Sequence, residues 1–448
     1  MPYKLVCGLE VHAELKTKSK MFCSCKNDPF GASEPNIHTC PVCLGMPGAL
    51  PVANRQAIEW TIKLGLALNC KINLFSKFDR KNYFYPDLPK GYQISQYDIP
   101  FCYDGYIDTT EGRVRIHRIH LEEDTAKLAH QEIDLDGDGK LKKATLIDFN
   151  RSSVPLVEIV TEPDIVSATQ AKEYGQKLRQ IMRYLDIANC DMEKGGMRLE
   201  ANISLRKEGH QELPDYKVEC KNINSFRFLE AAINFEIDRQ TEILQNGDKP
   251  AQETRGYNPN TGKTFSQRTK EDAADYRYFP DPDLPPIEFS EEEIENIRAT
   301  LPELPDAKTA RFTKIYGLNE KSARELTINK QKSEFFEEIL EIAQKENLDC
   351  QKLVNSLLNK KINFAFTEEP ELVLNKFKEN SSNENIDQDE LQAIIQKVLA
   401  SNQDAVAKYK AGKTAVIGFL IGQVMRQLNK KIDVALAKKT LLVFLEKN

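Results

Sequence analysis

Three stretches of the chain alternate strictly between apolar and polar positions. From Tyr3 to His12, Leu5, Cys7, Leu9 and Val11 fall on one side, and Glu10 and His12 fall together on the other. From Met197 to Arg206 one face is oily and the other reads Arg198, Glu200, Asn202, Ser204 and Arg206. Tyr216 to Lys221 repeats the pattern, with Lys217, Glu219 and Lys221 opposite Tyr216, Val218 and Cys220. A period of two predicts strands of a sheet with one buried and one open face. Helical spacing interrupts these strands. Asn54 to Leu68 puts Ile58, Ile62 and Leu66 on one stripe. Ser167 and Gln170 form a capping box for a helix that turns Ala171, Tyr174, Leu178, Ile181 and Leu185 inward. Ser225 to Asn246 stops at Gly247, the usual left-handed terminator. Antiparallel amphipathic strands covered on their apolar side by helices predict an α+β architecture up to about residue 290.

From Ser290 onward strand signals vanish. Ser290 and Glu293 cap a short helix that Pro302 and Pro305 end, and Asp306 to Tyr316 closes at Gly317. Phe335 to Ala343 and Leu353 to Leu358 keep helical spacing, and Lys378 to Gln388 is polar and reads as a linker. Three or four more helices complete the chain. The expected division is 1–290, with a knuckle at 23–43, then 291–380 and 381–448.

The open face of the expected sheet carries Glu, His, Arg and Lys. Hard cations take carboxylate oxygens, and phosphates take Arg and Lys. That face is therefore a floor for a nucleotide and its divalent cations, and an ATP-using enzyme is the leading expectation. The net charge of −6 over 448 residues argues against indiscriminate nucleic-acid binding. The charge is uneven, however. Residues 401–448 hold nine Lys and Arg against Asp404, Asp433 and Glu446, so that segment stands at +6 and the rest at −12. A basic end on an acidic body suits docking onto a polyanion through one module, although solvated lysine faces on helices give the same count. No secretory signal opens the chain and no apolar run nears the ~20 residues of a membrane span, so a cytoplasmic protein without membrane contact is expected.

Ten cysteines in such a chain point to reduced thiols or metal ligands rather than disulfides. Cys23-Ser24-Cys25 and Cys40-Pro41-Val42-Cys43 are two close pairs, and their spacing fits a tetrahedral Zn²⁺ knuckle. Four reduced structural thiols, or a redox pair at Cys40 and Cys43, are the alternatives, but no βαβ pattern follows to support the redox pair. Either way the cluster staples a loop. Asp134 to Gly139 matches half an EF-hand loop, yet its twelfth position is Thr145 and the flanks are strand-like, which predicts a hairpin tip. Ala411-Gly412-Lys413-Thr414 resembles the end of a Walker A loop but has Ala407 where the first Gly belongs, so it is not a P-loop. His120-Leu121-Glu122-Glu123-Asp124 ends an alternating run in three acids, whose repulsion is costly unless they face water or hold cations. Beside Glu10, Glu200 and Glu219 they read as Mg²⁺ ligands. Phe78 to Pro89 and Asp275 to Leu284 mix charges with aromatic rings, a composition that stacks on bases or simply packs.

Taken together, Gly8 to His12, Phe78 to Asp87, His120 to Asp124, Asp148 to Arg151, Pro155 to Ile159, Glu219 to Asn222, Asp275 to Asp283 and Gly418 to Met425 resemble the B-subunit family of the tRNA-dependent Asp/Glu amidotransferases. The resemblance implies a cradle domain similar to the glutamine synthetase and guanido-kinase fold, followed by an all-α helical domain and an all-α tail. It implies a ligase that uses ATP and Mg²⁺ to phosphorylate the side-chain carboxylate of Glu on tRNA(Gln) or Asp on tRNA(Asn). Ammonia then comes from a partner amidase, and a small third polypeptide clasps the two in a heterotrimer. Carried onto this chain, the Mg²⁺ ligands are Glu10, His12, Glu122, Glu123, Glu200 and Glu219. Glu10, His12, Glu123, Glu200 and Lys221 are catalytic, and Lys81, Arg198 and Arg277 hold phosphate or the acyl end. Glu193 fits either group. The structural Zn²⁺ at Cys23, Cys25, Cys40 and Cys43 rests on the cysteine spacing alone.

Three departures from the family pattern stand out. Glu200 replaces a common Asp, Ser153 stands where many relatives have Gly, and the region 360–388 is short, which bears on the tRNA footprint because that region and the tail cradle the tRNA elbow in the family. The archaeal sister family carries an inserted domain that this chain lacks. The rivals are a free ATP-dependent carboxylate–amine ligase and a non-catalytic, zinc-bearing tRNA-binding protein.

Overall fold

The first alternating stretch forms strand β1 (Tyr3–Glu14), whose Leu5, Cys7, Leu9, Val11 and Ala13 are all buried. The computed structural model describes residues 3–134, 140–269, 276–382, 388–428 and 434–447. Most of the EF-hand-like run (135–139), Asp275, residues 383–387 of the polar run, and Lys430, Lys431 and Asp433 lie outside them. The chain separates into two units, Met1–Pro305 and Asp306–Asn448. Among the described residues no helix is long and apolar enough to cross a membrane.

In the first unit β1 is followed by α1 (Arg55–Ala67), capped by the Asn54 side chain. Short strands come next: β2 (Lys71–Ile72), β3 (Phe75–Ser76), β4 (Asp79–Asn82) and β5 (Tyr92–Ser95). Then come β6 (Cys102–Thr109), β7 (Gly112–Glu123), β8 (Lys127–Ile133), β9 (Lys142–Asp148) and β10 (Pro155–Thr161). Helix α2 (Ala168–Tyr184) precedes β11 (Met197–Lys207) and β12 (Val218–Ile223), and α3 (Phe226–Gln245) precedes β13 (Glu253–Asn258) and β14 (Lys263–Thr269). Strands β15 (Arg277–Pro280) and β16 (Ile287–Glu288) and helix α4 (Glu291–Ala299) close the unit. The Ser167 hydroxyl accepts from Gln170 N, but the Gln170 amide reaches Val166 N rather than the cap residue itself. Ser290 and Glu293 do form a reciprocal capping box, and Gly247 ends α3 at φ +85°.

Nine strands make the main sheet, in the order β14-β13-β12-β11-β1-β10-β7-β6-β2. One pairing departs from the antiparallel expectation. β12 and β13 run parallel, because α3 carries the chain back across the sheet between them. The apolar face packs against α1, α2 and α3 around Leu9, Val11, Ile62, Tyr174, Leu199 and Leu229, which leaves the opposite face to its polar side chains. A small sheet, β15-β4-β5, and two two-stranded pairs, β16-β3 and β8-β9, complete the described strand architecture. The architecture is mixed α and β with one large sheet.

Close approach at β6 sets one test of this packing. A Cβ on Gly105 would lie 2.2 Å from Cys70 Sγ and 2.8 Å from the Leu68 carbonyl oxygen. Gly105→Ala is expected to lower stability by about 1–3 kcal/mol, since backbone must move to relieve the overlap. An unchanged denaturation midpoint would contradict the packing of this edge.

The second unit is helical: α5 (Pro305–Tyr316), α6 (Glu320–Leu326), α7 (Lys330–Lys345), α8 (Cys350–Leu358), α9 (Pro370–Ser382), α10 (Gln388–Ser401), α11 (Gln403–Lys410), α12 (Val416–Gln427) and α13 (Val434–Lys447). It holds two apolar clusters, one around Phe312, Ile339, Leu353 and Leu374 and one around Leu391, Ile395, Leu420 and Leu441. The polar run expected as a linker from Lys378 is helical through Ser382, because Val373, Leu374 and Phe377 anchor one side of α9. Pro370 at its first position was the readable start signal. Ala407, at the Walker-like site, lies inside α11.

Candidate functional site

Strand pairing decides which polar side chains meet. β1 lies between β10 and β11, so His12 stands opposite Glu158 on one side and Arg198 on the other. Glu158 in turn stands opposite His120 on β7, and Glu10 opposite Glu200 on β11. Directly opposed residues bring their Cβ atoms to about 4.5–5.5 Å, close enough for side chains to share a ligand. Two acidic groups result, side by side on one face.

The first group is His12, Glu122 and Glu158, whose ligand atoms lie within 4.8 Å of one another. His12 Nε2 is 3.3 Å from Glu158 and 3.9 Å from Glu122, and His120 Nε2 is 3.2 Å from Glu158 and 3.5 Å from Glu122. Ser95 Oγ donates to Glu122 at 2.9 Å. Burial works against charge on His120, yet Glu158 and Glu122 outweigh it and raise its pKa to about 9. His12 is raised in the same way, against its own burial, chiefly by Glu158. Burial pushes Glu158 up, but His120 and His12 win and hold it well below the usual carboxylate range. Lys81, on β4, is set into this group from the small sheet. Its ammonium lies 4.8 Å from the Tyr276 ring centre and 5.9 Å from that of Tyr83. Burial opposes its charge, and Glu122, Tyr278 and Glu158 overcome that and keep it charged.

The second group is Glu10, Glu200 and Glu219, again within 4.8 Å. Lys221 Nζ lies 3.1 Å from Glu200 and 3.3 Å from Glu219. Asn202 Nδ2 donates to Glu10 at 2.8 Å, and Thr254 Oγ1 to Glu219 at 3.0 Å. Burial raises the Glu10 pKa, and Glu158 and Glu200 raise it further. Negative charge here exceeds what the neighbours compensate. A cleft of about 410 Å³ opens beside Glu10, lined by Gly8, Val160, Pro163, Leu213, Tyr216 and Lys217 among others.

Five of the six expected Mg²⁺ ligands therefore converge, and Glu123 does not. As the strand neighbour of Glu122 it points the other way, where its carboxylate accepts from Ile94 N at 2.9 Å and pairs with Lys90. The three consecutive acids do not face water, and they do not converge. Each is buried with its own cations, and Asp124 takes Arg198 at 3.1 Å and Arg151 at 3.8 Å. Burial raises Asp124, but Arg198 and Arg151 bring its pKa down to about 2. Arg198 thus stands on the polar face but is bound by Asp124. Arg277 is exposed on β15, and Glu193 is exposed in the turn before β11. Sequence reasoning missed Glu158 as a partner of His12, and His120 as the second imidazole on Glu158 and Glu122. The available signal was a single acid within the apolar run Pro155–Thr161.

Cys23, Cys25, Cys40 and Cys43 bring their four sulfurs within 4.8 Å of one another. Cys40 and Cys43 Sγ are 3.9 Å apart, against about 3.8 Å for two sulfurs on one tetrahedral zinc. The 148–153 loop braces this cluster: the Asn150 side chain accepts from His38 N at 2.8 Å, and Ser152 Oγ donates to the Cys43 carbonyl at 3.1 Å. Ser153 holds the left-handed φ of +67°, the conformation that glycine adopts freely.

Comparison with known proteins covers both units. Residues 5–295 match the GatB/GatE catalytic domain and residues 306–445 the GatB domain. The chain is similar to the B subunit of the aspartyl/glutamyl-tRNA(Asn/Gln) amidotransferase from Thermomicrobium roseum, 44% identical over 98% of each chain. The proteins of the same name from Dehalococcoides mccartyi strain 195 and Persephonella marina are 46% and 44% identical, each over 98% of this chain and 99% of the relative.

Proposed function

The chain belongs to the B-subunit family of the aspartyl/glutamyl-tRNA(Asn/Gln) amidotransferases, and from that premise we propose that its polar sheet face is where the side-chain carboxylate of a misacylated tRNA is phosphorylated by ATP. The protein is one component of a tRNA-dependent amidotransferase, a glutamine-dependent ligase. The substrate is Glu on tRNA(Gln), Asp on tRNA(Asn), or both. A partner amidase releases the ammonia that displaces phosphate from the acyl phosphate, and a small third polypeptide joins the two. One observation carries the assignment of the site: two acidic groups side by side on one sheet face, with Lys81 and Lys221 beside them.

The residues present suit a hard divalent cation. Carboxylate oxygens predominate, and burial, with Glu158 and Glu200 adding to it, disfavours the Glu10 carboxylate in the absence of a cation. His12, Glu122 and Glu158 would hold one Mg²⁺, and Glu10, Glu200 and Glu219 a second. Bound there, the metal offsets charge on the transferred phosphoryl group and its leaving group. The protein's own part is positioning. Lys81 presents a fixed positive charge to the phosphoryl oxygens. Lys221, held by Glu200 and Glu219, would supply a second positive charge for phosphate oxygens beside that group. Arg198, held by Asp124, fixes the floor beside His12. The cleft beside Glu10 takes the nucleoside, with Tyr216 and Lys217 on its wall.

The fold supports a division of labour. Residues 1–290 form the cradle, of the glutamine synthetase and guanido-kinase type, with a Zn²⁺ knuckle at 23–43. The helical domain expected at 291–380 gives up α4 to the first unit, whose core holds Ile294, and is otherwise built from α5 onward. The basic tail, 381–448, meets tRNA phosphates.

ADP release by the chain assembled with its amidase partners tests this reading. Turnover is expected with Glu-tRNA(Gln) or Asp-tRNA(Asn) and not with uncharged tRNA. Turnover that ignores tRNA charging would indicate a free carboxylate–amine ligase. Amidation that persists in a Glu10→Ala, His12→Ala variant would place catalysis outside this chain.

A further inference from the structure

Lys20 is fully buried, an unusual place for an ammonium group. Its Nζ donates to the carbonyl oxygens of His38 at 2.7 Å and Phe149 at 3.1 Å, and lies 3.8 Å from Cys43 Sγ. Three protons thus meet two neutral carbonyls and one sulfur, and none of these partners is a carboxylate. Carbonyl oxygens satisfy the hydrogen bonds but do not neutralise the charge, and an uncompensated buried charge is strongly unfavourable. Among these partners, the Cys43 sulfur is the one that can carry negative charge. Four cysteine sulfurs stand together here, and four thiolates around one divalent cation carry a net charge of −2.

We propose that Lys20 is the built-in counter-charge of the four-cysteine metal centre. In this role it offsets the net negative charge that four thiolates leave on a divalent cation, and it ties metal occupancy to the loop beside the catalytic face. The proposal rests on reading the four cysteines as a metal site. The Cys40 N–H, 3.1 Å from Cys43 Sγ, assists at the same sulfur. The link to the catalytic face runs through Phe149, whose carbonyl Lys20 holds. Two residues on, Arg151 pairs with Asp124 and donates to the Thr125 and Ala126 carbonyls. The main chain of Lys20 and its neighbour reinforces that link: Lys20 N donates to Cys25 O at 3.0 Å, and Met21 N to Ser153 O at 2.7 Å. A lysine in this position belongs to the metal shell and to the Arg151 loop at once.

Zinc content and zinc release separate this proposal from the reading beneath it. The wild-type chain is expected to hold one equivalent of zinc and, with Co²⁺, to show a sulfur-to-metal charge-transfer band. A metal-free wild type after expression with added zinc would overturn the metal reading and this proposal with it. Lys20→Gln keeps hydrogen-bond donors for both carbonyls and removes only the charge. It should release zinc to a chromophoric chelator about tenfold or more faster, in line with losses of outer-shell partners. Its Co²⁺ band should shift to lower energy, because sulfurs without a nearby cation hold their electrons less tightly. Unchanged release and an unchanged band in a zinc-loaded variant would overturn the counter-charge. Lys20→Met supplies a second readout in thermal unfolding. With zinc the variant should melt below wild type, and after chelation above it, since the stripped wild type must bury an unmatched ammonium. Equal loss of stability in both states would show that Lys20 only ties the two carbonyls.

Discussion

Replacing Glu10 with glutamine is expected to lower amidotransferase kcat by on the order of 10²–10³ fold, without lowering the thermal stability of the metal-free protein. The two halves of this result have one cause. Glu10 lies between Glu158 and Glu200, and burial together with those neighbours raises its pKa above the ordinary 4.5. The carboxylate is therefore under electrostatic strain until a cation arrives, which is the usual condition of a functional acid. Glutamine keeps an acceptor for the Asn202 amide and removes the charge.

The pH dependence follows from the direction of the shift. A group whose pKa is raised on folding contributes stability that is fully present below its unfolded value and is lost as pH rises through its folded value. Below 4.5 the wild-type side chain is protonated in both states and behaves like the variant. Above that, the wild type alone loses this contribution, so the Tm of Glu10→Gln in chelator should overtake it as pH rises. Added Mg²⁺ should reverse the order, because only the wild type keeps the full ligand set. A variant less stable than wild type at neutral pH without metal would mean that Glu10 is already neutralised in the folded chain.

Much of this site was legible from the period of two. Glu10, His12, Glu200 and Glu219 are on the open face because their strand neighbours are apolar, and no knowledge of pairing is needed to say so. Which of them meet depends on strand order, and that is a long-range property. β1 runs between β10 and β11 although some 140 residues and more separate them in sequence, and this order brings Glu158 to His12. The run around Glu158 is buried on both sides, so it shows no alternation to mark an open face. Glu122 and Glu123 carry the opposite lesson. Adjacent residues in a strand face opposite ways, so alternation already forbade both from one ion, and composition alone suggested otherwise. Lys81 was carried over with the family resemblance, and its position against Glu122 depends on how the small β15-β4-β5 sheet meets the large one. The parallel β12–β13 pair and the full length of α9 were hidden for a similar reason: a crossover helix and a tertiary anchor decide them, not the local pattern.

Lys81→Met is expected to cut single-turnover ADP formation on misacylated tRNA by on the order of 10³ fold, the scale of a positive charge aimed at a transferring phosphoryl group. The side chain is placed for that task and for little else. Tyr83 and Tyr276 flank its ammonium, and Glu122 and Glu158 keep it charged against the burial that would discharge it. Methionine matches the apolar stem and leaves the rings their packing, but it gives up the stability that the raised Lys81 pKa contributes at neutral pH, so the metal-free variant should fold and melt below wild type. Its behaviour toward Mg²⁺ should distinguish a catalytic loss from a binding loss. Lys81 repels any cation entering the His12, Glu122 and Glu158 group, so removing it should lower the Mg²⁺ concentration for half-maximal activity even as the maximal rate falls. A fall in rate with a higher Mg²⁺ requirement would instead mean that Lys81 organises the carboxylates. Unchanged single-turnover rates would remove Lys81 from the reaction altogether and leave Lys221 as the cation that meets the phosphate.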